Sequence, residues 1–202
     1  LAYLAGTADK GVTYSRPALD KHVNRLYGWV DSDYAADPDT RRSVTGYVVS
    51  MNNGPVSWRA KRQSCTTLSS AEAEFVAASM CGQEVIYLRH LLRDLGHSQG
   101  DRPTVIYEDN ASCIAMSENP VNAERSRHID TRLWFLRDMV RDKLLRLRKC
   151  AGTQKVADAL TKSLPAPSFT KHREYLFGSR VPFEAFYVSI GELPVASAGR
   201  AW

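Results

Sequence analysis

The sequence predicts an α/β domain built on a mixed five-stranded sheet, three antiparallel strands followed by parallel ones, with helices on its flanks. Three observations carry this. Three β-patterned runs between residues 26 and 60 are joined by connections too short for a crossover, so they pair antiparallel. A long amphipathic helical run follows, over residues 69–95, and the next strand must therefore run parallel to a neighbour. From there helical and extended patterns alternate to about residue 162.

Residues 1–25 lack a clean period and read as a connector. Residues 26–31 form the first strand, and a polar loop over 33–42 contains Asp37-Pro38-Asp39. Residues 43–50, with Val44, Tyr47, Val48 and Val49, make the second strand. Asn52-Asn53-Gly54-Pro55 is a turn signal, and 56–60 is the third strand. Ser69 supplies a helix cap with Glu72 three positions on, and the helix stops at Gly96. Residues 103–108 are the fourth strand, and a short helix over 110–117 ends at Asn119-Pro120. Ile129, Leu133, Leu136 and Val140 recur at helical spacing; residues 144–149 mix leucine with arginine and lysine as an edge-like fifth strand. A last short helix covers 154–162, before Leu164-Pro165. Beyond Ser179 the chain gains prolines and small residues and reads as a tail, disordered or non-native. The expected organisation is a connector (1–25), one domain (26–178) and that tail (179–202).

Composition bounds the function. The 202 residues suffice for one good core, and 44% hydrophobic with 24% charged residues is ordinary for a globular protein. The net charge of +5 fits a polyanionic partner. Cys65, Cys81, Cys113 and Cys150 show no CxxC or zinc-ligand spacing, and Cys81 lies on an apolar helical stripe, the pattern of buried thiols in a reducing compartment. No apolar run is long enough to span a bilayer, so no membrane partner is expected. There is no GxxxxGK[ST] phosphate loop and no Ser-His-Asp or Cys-His arrangement, so neither a nucleotide nor a zinc cofactor is expected. A start at Leu1 reads as a fragment of something longer.

Four acids stand where carboxylates are costly unless paired or metal-bound. Asp31 closes the first strand and Asp109 follows the fourth; if these strands are parallel neighbours, the two aspartates face each other at their carboxyl ends, where open α/β sheets gather their sites. Asp33 shares strand parity with Asp31, so periodicity does not choose between them. Glu74 falls on one helical stripe with Ala78, Cys81, Val85, Leu88 and Leu92, whereas Glu72 shares a much more polar stripe with Val76, Ser79, Gln83, Ile86, His90 and Arg93. Glu74, not Glu72, therefore points at the sheet. Asp158 sits mid-helix and gains weight only from the other three. Clustered carboxylates of this kind suit divalent cations.

The motifs resemble a known family. Gly28-Trp29-Val30-Asp31-Ser32-Asp33-Tyr34-Ala35, Arg41-Arg42-Ser43-Val44-Thr45-Gly46-Tyr47, Pro55-Val56-Ser57-Trp58 and Leu68-Ser69-Ser70-Ala71-Glu72-Ala73-Glu74 look like the ribonuclease H domain of a copia-type retrotransposon Pol polyprotein. Tyr107-Glu108-Asp109-Asn110, Arg127-His128-Ile129-Asp130 and Val156-Ala157-Asp158-Ala159-Leu160-Thr161-Lys162 continue the match, from about residue 26 to 178. Residues 1–14 resemble the segment that joins reverse transcriptase to such a domain.

This resemblance implies the ribonuclease H-like fold and a site in which Asp31, Glu74, Asp109 and Asp158 bind two magnesium ions, or manganese in their place, with Asp31 shared between them. The implied chemistry is hydrolysis of the RNA strand of an RNA–DNA hybrid, leaving 5′-phosphate and 3′-hydroxyl ends. Ser69, Ser70 and Asn110 are the implied RNA contacts, although helix capping would explain them equally. Arg41 and Arg42, and Arg59 with Lys61 and Arg62, are basic clusters able to hold a nucleic-acid backbone. Trp58 shares a face with Val56 and reads as core. His128 and Asp130 read as a helix start. The implied partner is the reverse transcriptase portion of the same polyprotein, and the implied setting is intracellular: the cytoplasm in a virus-like particle, or the nucleus. The loop before the last helix, Cys150-Ala151-Gly152-Thr153-Gln154-Lys155, lacks the histidine of cellular ribonucleases H, a departure that bears on turnover rather than on activity. A basic protruding handle is not evident between Gly96 and Arg127. A catalytically inactive hybrid-binding remnant is the alternative reading, and a DNA-cutting nuclease of the same fold is a further one.

Overall fold

Strands β1 (Tyr27–Asp33), β2 (Val44–Met51) and β3 (Gly54–Arg62) open the fold in the computed structural model, which describes residues 2–17, 22–118 and 130–178. Asn52 and Asn53 both take positive φ, 51° and 63°, which is the conformation a two-residue hairpin turn needs to match strand twist. The antiparallel meander of the sequence reading is present, with Asp31 opposite Gly46 and Tyr47 opposite Arg59.

After a four-residue helix α1 (Ala2–Ala5), helix α2 (Ser70–Asp94) starts on Ser69, whose hydroxyl accepts from Glu72 N at 3.2 Å, while Glu72 Oε2 reaches back to Leu68 N at 2.8 Å. It ends before Gly96, which takes the left-handed φ of +82°. Strand β4 (Thr104–Glu108) then lies parallel to β1, and β5 (Leu145–Lys149) parallel to β4, giving the order β3-β2-β1-β4-β5. Between β4 and β5 come α3 (Ala111–Glu118) and α4 (Asp130–Arg141). The expected mixed sheet with flanking helices is therefore present.

Two apolar layers clamp the sheet. One face packs Val30, Val49, Ile106 and Leu147 against Phe75, Ala78, Cys81 and Val85 of α2 and Leu136 of α4. The other carries Tyr27, Trp29 and Tyr107 with Cys150, Val156 and Ala157. Cys81 is fully buried, as its stripe implied. Around Glu74 nearly the whole first half of α2 is buried, Val76 and Ser79 included, because the helix enters between the sheet and its neighbours.

Three local expectations change. Residues 154–162 are not one helix: a 3-10 turn (Gly152–Gln154) precedes the four-residue α5 (Asp158–Thr161), so Asp158 opens its helix instead of sitting mid-helix. A further helix, α6 (Ala166–Leu176), follows where prolines at 165 and 167 hid the signal; both fall at a helix N-terminus, where a missing N–H costs nothing. Trp58 is 59% exposed, because β3 is the sheet's edge and the second apolar layer stops short of it.

Tyr14 and its neighbours, in the segment read as a connector, lie along this domain. Thr13 N donates to Phe177 O at 2.8 Å, Ser15 N to Asn52 O at 3.0 Å, and the Tyr14 hydroxyl to Pro55 O at 2.7 Å. No described helix is long and apolar enough to cross a membrane. The tail over 179–202, the Asn119-Pro120 helix stop and the 127–129 signature lie outside the described residues, as does the side chain of Asp130.

Candidate active site

Strand register sets the first pair. Trp29 is level with Tyr107 across the parallel β1–β4 pairing, so Asp31 and Asp109 each lie two residues beyond that rung, at the edge where β4 ends. Asp31 is fully buried, whereas Asp33 is only half-buried, which separates the two aspartates that periodicity left equivalent. Glu74, one turn into α2, is 6% exposed and aims at the same edge. The 152–161 segment then brings Asp158 over β1 and β2 from the other side. It comes close because Gly46, opposite Asp31, has no side chain: a Cβ there would lie 2.5 Å from Thr161 Cγ2 and 3.1 Å from Ala157 O.

Two lysines tie the acids together. The Lys155 ammonium lies 2.7 Å from Asp31 Oδ1, 3.0 Å from Glu74 Oε1, 2.6 Å from Asp109 Oδ1 and 3.4 Å from Glu108 Oε1. Lys162 Nζ lies 3.0 Å from the same Asp31 Oδ1 and 3.2 Å from Asp158 Oδ1. Thr161 donates its hydroxyl to Asp31 Oδ2. All four acids singled out from the sequence are thus drawn into one site, Asp31 being common to both lysines.

Glu108 is the acid that sequence reasoning missed. It is fully buried, and its Oε1 accepts from Asp109 N at 2.9 Å and Asn110 N at 2.8 Å. Ligand oxygens of Glu74, Glu108 and Asp109 all lie within 4.8 Å of one another. Its parity with Ile106 on β4 could have revealed it, since Ile106 faces the α2 core. Lys155 carried no comparable sign, because a lysine in a loop ordinarily reads as solvated.

The electrostatics follow from crowding in a dry place. Burial pushes the Glu74 carboxyl up to about 9, and Glu108 and Asp31 add to this against the pull of Lys155. Burial likewise raises Glu108 to about 7 and, with the repulsion of Asp31, Asp158 to about 6. Burial opposes ionisation of Asp31 too, but Lys155, Thr161 and Lys162 outweigh it and hold this carboxyl below its ordinary value. For Lys155 burial is outweighed by Glu108, Glu74 and Asp31, which keep the ammonium charged.

The donor set fits divalent cations. It consists of carboxylate oxygens, the hard ligands magnesium and manganese prefer. Five carboxyl groups face two ammonium groups, so acids outnumber the cations that can pair with them. Glu74 Oε2 and Glu108 Oε2 are buried with no hydrogen-bond partner among the described residues, which is costly unless a cation meets them.

The residues read as substrate contacts surround this edge. Ser69 caps α2, and Ser70, its first residue, is exposed. Asn110 caps α3, its Oδ1 accepting from Ser112 N at 2.9 Å and Cys113 N at 3.1 Å. Arg41, exposed, and Arg42, half-buried, lie on the β1–β2 loop, which Asp37 closes by accepting from Arg41 N and donating to Arg42 O. On β3, Arg59, Lys61 and Arg62 are exposed, and Arg62 pairs with Asp37.

No protein-family model matches the chain. LC11-RNase H1, isolated from compost, superposes with a TM-score of 0.51 at 14% identity, over 74% of this chain and 98% of that one. The fold is therefore ribonuclease H-like. Over 176 residues the chain is 38% identical to the retrovirus-related Pol polyprotein from transposon TNT 1-94 of Nicotiana tabacum, covering 86% of this chain and 13% of the polyprotein. It is 33% identical over 195 residues to that of transposon RE2 of Arabidopsis thaliana, covering 96% and 12%. The chain is a homologue of one segment of these plant-transposon Pol polyproteins, in agreement with a copia-type ribonuclease H domain, and spans only 12–13% of their length.

Proposed function

We propose that this chain is the ribonuclease H of a retrotransposon, a metal-dependent endonuclease that hydrolyses the RNA strand of RNA–DNA hybrids during reverse transcription. The observation that carries this is the convergence of Asp31, Glu74, Asp109 and Asp158 on one edge of a ribonuclease H-like sheet, with Asp31 common to both halves of the cluster. Bound magnesium or manganese would supply the activated hydroxide and steady the departing 3′ oxygen. Asp31, Glu74, Asp109 and Asp158 are the residues to hold the ions, with Glu108 beside them as a further carboxylate. Burial of Asp31 and its hydrogen bond from Thr161 fix the carboxylate's orientation before any ligand arrives.

Ser69, Ser70 and Asn110 would contact the RNA strand from two helix starts. Arg41 and Arg42 would hold phosphates beside the β1–β2 loop. The reverse transcriptase of the same polyprotein is the proposed partner, and the virus-like particle in the cytoplasm, or the nucleus, the proposed setting. A catalytically inactive, hybrid-binding remnant is the second reading, and the observation favouring it is Lys155, whose ammonium occupies the middle of the acid cluster.

The test compares one RNA labelled in an RNA–DNA hybrid and in duplex RNA, together with labelled duplex DNA, each with magnesium or chelator. Metal-dependent cutting confined to the RNA of the hybrid, with 3′-hydroxyl products, is expected. Hybrid binding without cutting, with the reverse transcriptase added in trans, would establish the remnant; cutting of duplex DNA would establish a DNA nuclease.

A further inference from the structure

Lys155 is fully buried, yet its ammonium has carboxylate oxygens of Asp31, Glu74 and Asp109 within 3.0 Å and Glu108 Oε1 at 3.4 Å. Those oxygens are the ones that would bind a cation between β1, α2 and β4. A divalent ion and an ammonium cannot share one set of oxygens at contact distance, since both need the same lone pairs and their charges repel. Lys162 is placed differently: it touches Asp31 and Asp158 from the surface and is 38% exposed, so it can swing into solvent without unpacking anything. Lys155 has no such freedom while Val156 and Ala157 beside it stay packed in the second apolar layer.

We propose that Lys155 is a built-in counter-ion, which holds Asp31, Glu74 and Asp109 together in the metal-free chain and must leave them before a divalent ion binds there. The proposal rests on the metal-dependent reading above and deepens it. Two consequences follow from the geometry. Metal binding at this position is weakened by the work of expelling a fully buried ammonium from its carboxylates. The acid cluster is also kept assembled without metal, because unscreened carboxylates at these distances would otherwise repel one another. Lys155 is thus a positioning residue with an occupancy cost, and its removal should act in opposite directions on affinity and on metal-free stability.

The experiment titrates Mn2+ into the full 202-residue chain and into K155Q, counting bound ions by electron paramagnetic resonance and following the melting temperature with and without metal. K155Q is expected to bind Mn2+ at least about tenfold more tightly than wild type, to melt lower without metal, and to gain more from metal. Lys143→Gln, an exposed lysine away from the cluster, should change none of these. In wild type, mass-spectrometric mapping of amine acylation gives a reading that needs no variant: Lys155 should be protected without metal and become reactive at saturating Mn2+. An affinity in K155Q equal to or below wild type overturns the proposal, and so does a Lys155 amine that stays protected when metal is saturating. Should K155Q not fold, the acylation result alone decides. Equal Mn2+ binding with hybrid cleavage intact would sink the counter-ion and leave the nuclease reading standing. Absence of Mn2+ binding in both proteins would remove the two together.

Discussion

Asp31 Oδ1 lies 2.7 Å from Lys155 Nζ although neither side chain reaches solvent. The same oxygen lies 3.0 Å from Lys162 Nζ, so one carboxylate joins the two halves of the cluster. Removing one partner of a buried, hydrogen-bonded charge pair costs about 3–5 kcal/mol, because the other is left uncompensated. The surplus of neighbouring carboxylates around Lys155 should moderate that cost here.

Asp31→Asn should therefore keep the fold, with a modest fall in melting temperature. Hybrid cleavage should drop by at least about 10³-fold, in the range seen when a group essential to charge stabilisation is removed. Circular dichroism and single-turnover cleavage check the two halves of this expectation.

Glu74 and Glu72 lie one helical half-turn apart and should behave oppositely. Glu74→Gln should abolish cleavage, since Glu74 faces Lys155 and Glu108. Glu72→Gln removes a charge at the α2 N-terminus, where Glu72 accepts from Leu68 N. It should cost under about 1 kcal/mol and leave cleavage near wild type. Comparable losses in both variants would contradict the placement of Glu74.

Gly46→Ala tests the approach of α5. The added Cβ would stand 3.1 Å from both Ala157 O and Leu160 Cβ, so α5 must shift outward. The expected effect is a loss of about 1–3 kcal/mol in urea unfolding. Cleavage should fall as well, because Thr161 and Asp158 move away from Asp31.

His172 in α6 governs part of the acid sensitivity. Burial, with a smaller contribution from Lys171, lowers its pKa from the ordinary 6.5. The folded chain therefore binds this proton less tightly than the unfolded chain does. Its stabilising contribution is present above pH 6.5 and is lost as the pH falls through the depressed folded value. The urea midpoint of wild type should fall between about pH 7 and pH 5 more steeply than that of His172→Gln. Parallel profiles would contradict this.

Much of this was legible in the sequence for identifiable reasons. The strand directions followed from connection lengths, which geometry limits severely, whereas the order across the sheet did not. Glu74 emerged because a 25-residue helix gives its apolar stripe many chances to repeat. Asp31 could not be separated from Asp33 by periodicity, since both point the same way; only the depth of burial divides them. The α5 region misled because four residues of helix carry no period, and α6 was hidden by prolines whose helix-start role depends on position. Lys155 stayed invisible because its burial depends on four carboxylates meeting in space, which no local pattern encodes.

The most direct test of the central claim is single-turnover cleavage of a hybrid with labelled RNA by the 202-residue chain and Asp31→Asn, over a magnesium titration. Wild type should cut the RNA strand in proportion to bound metal and stop with chelator, while the variant stays inactive though folded. Equal cutting by both proteins, or cutting by wild type that survives chelator, would contradict the metal-binding role given to Asp31 and its neighbours.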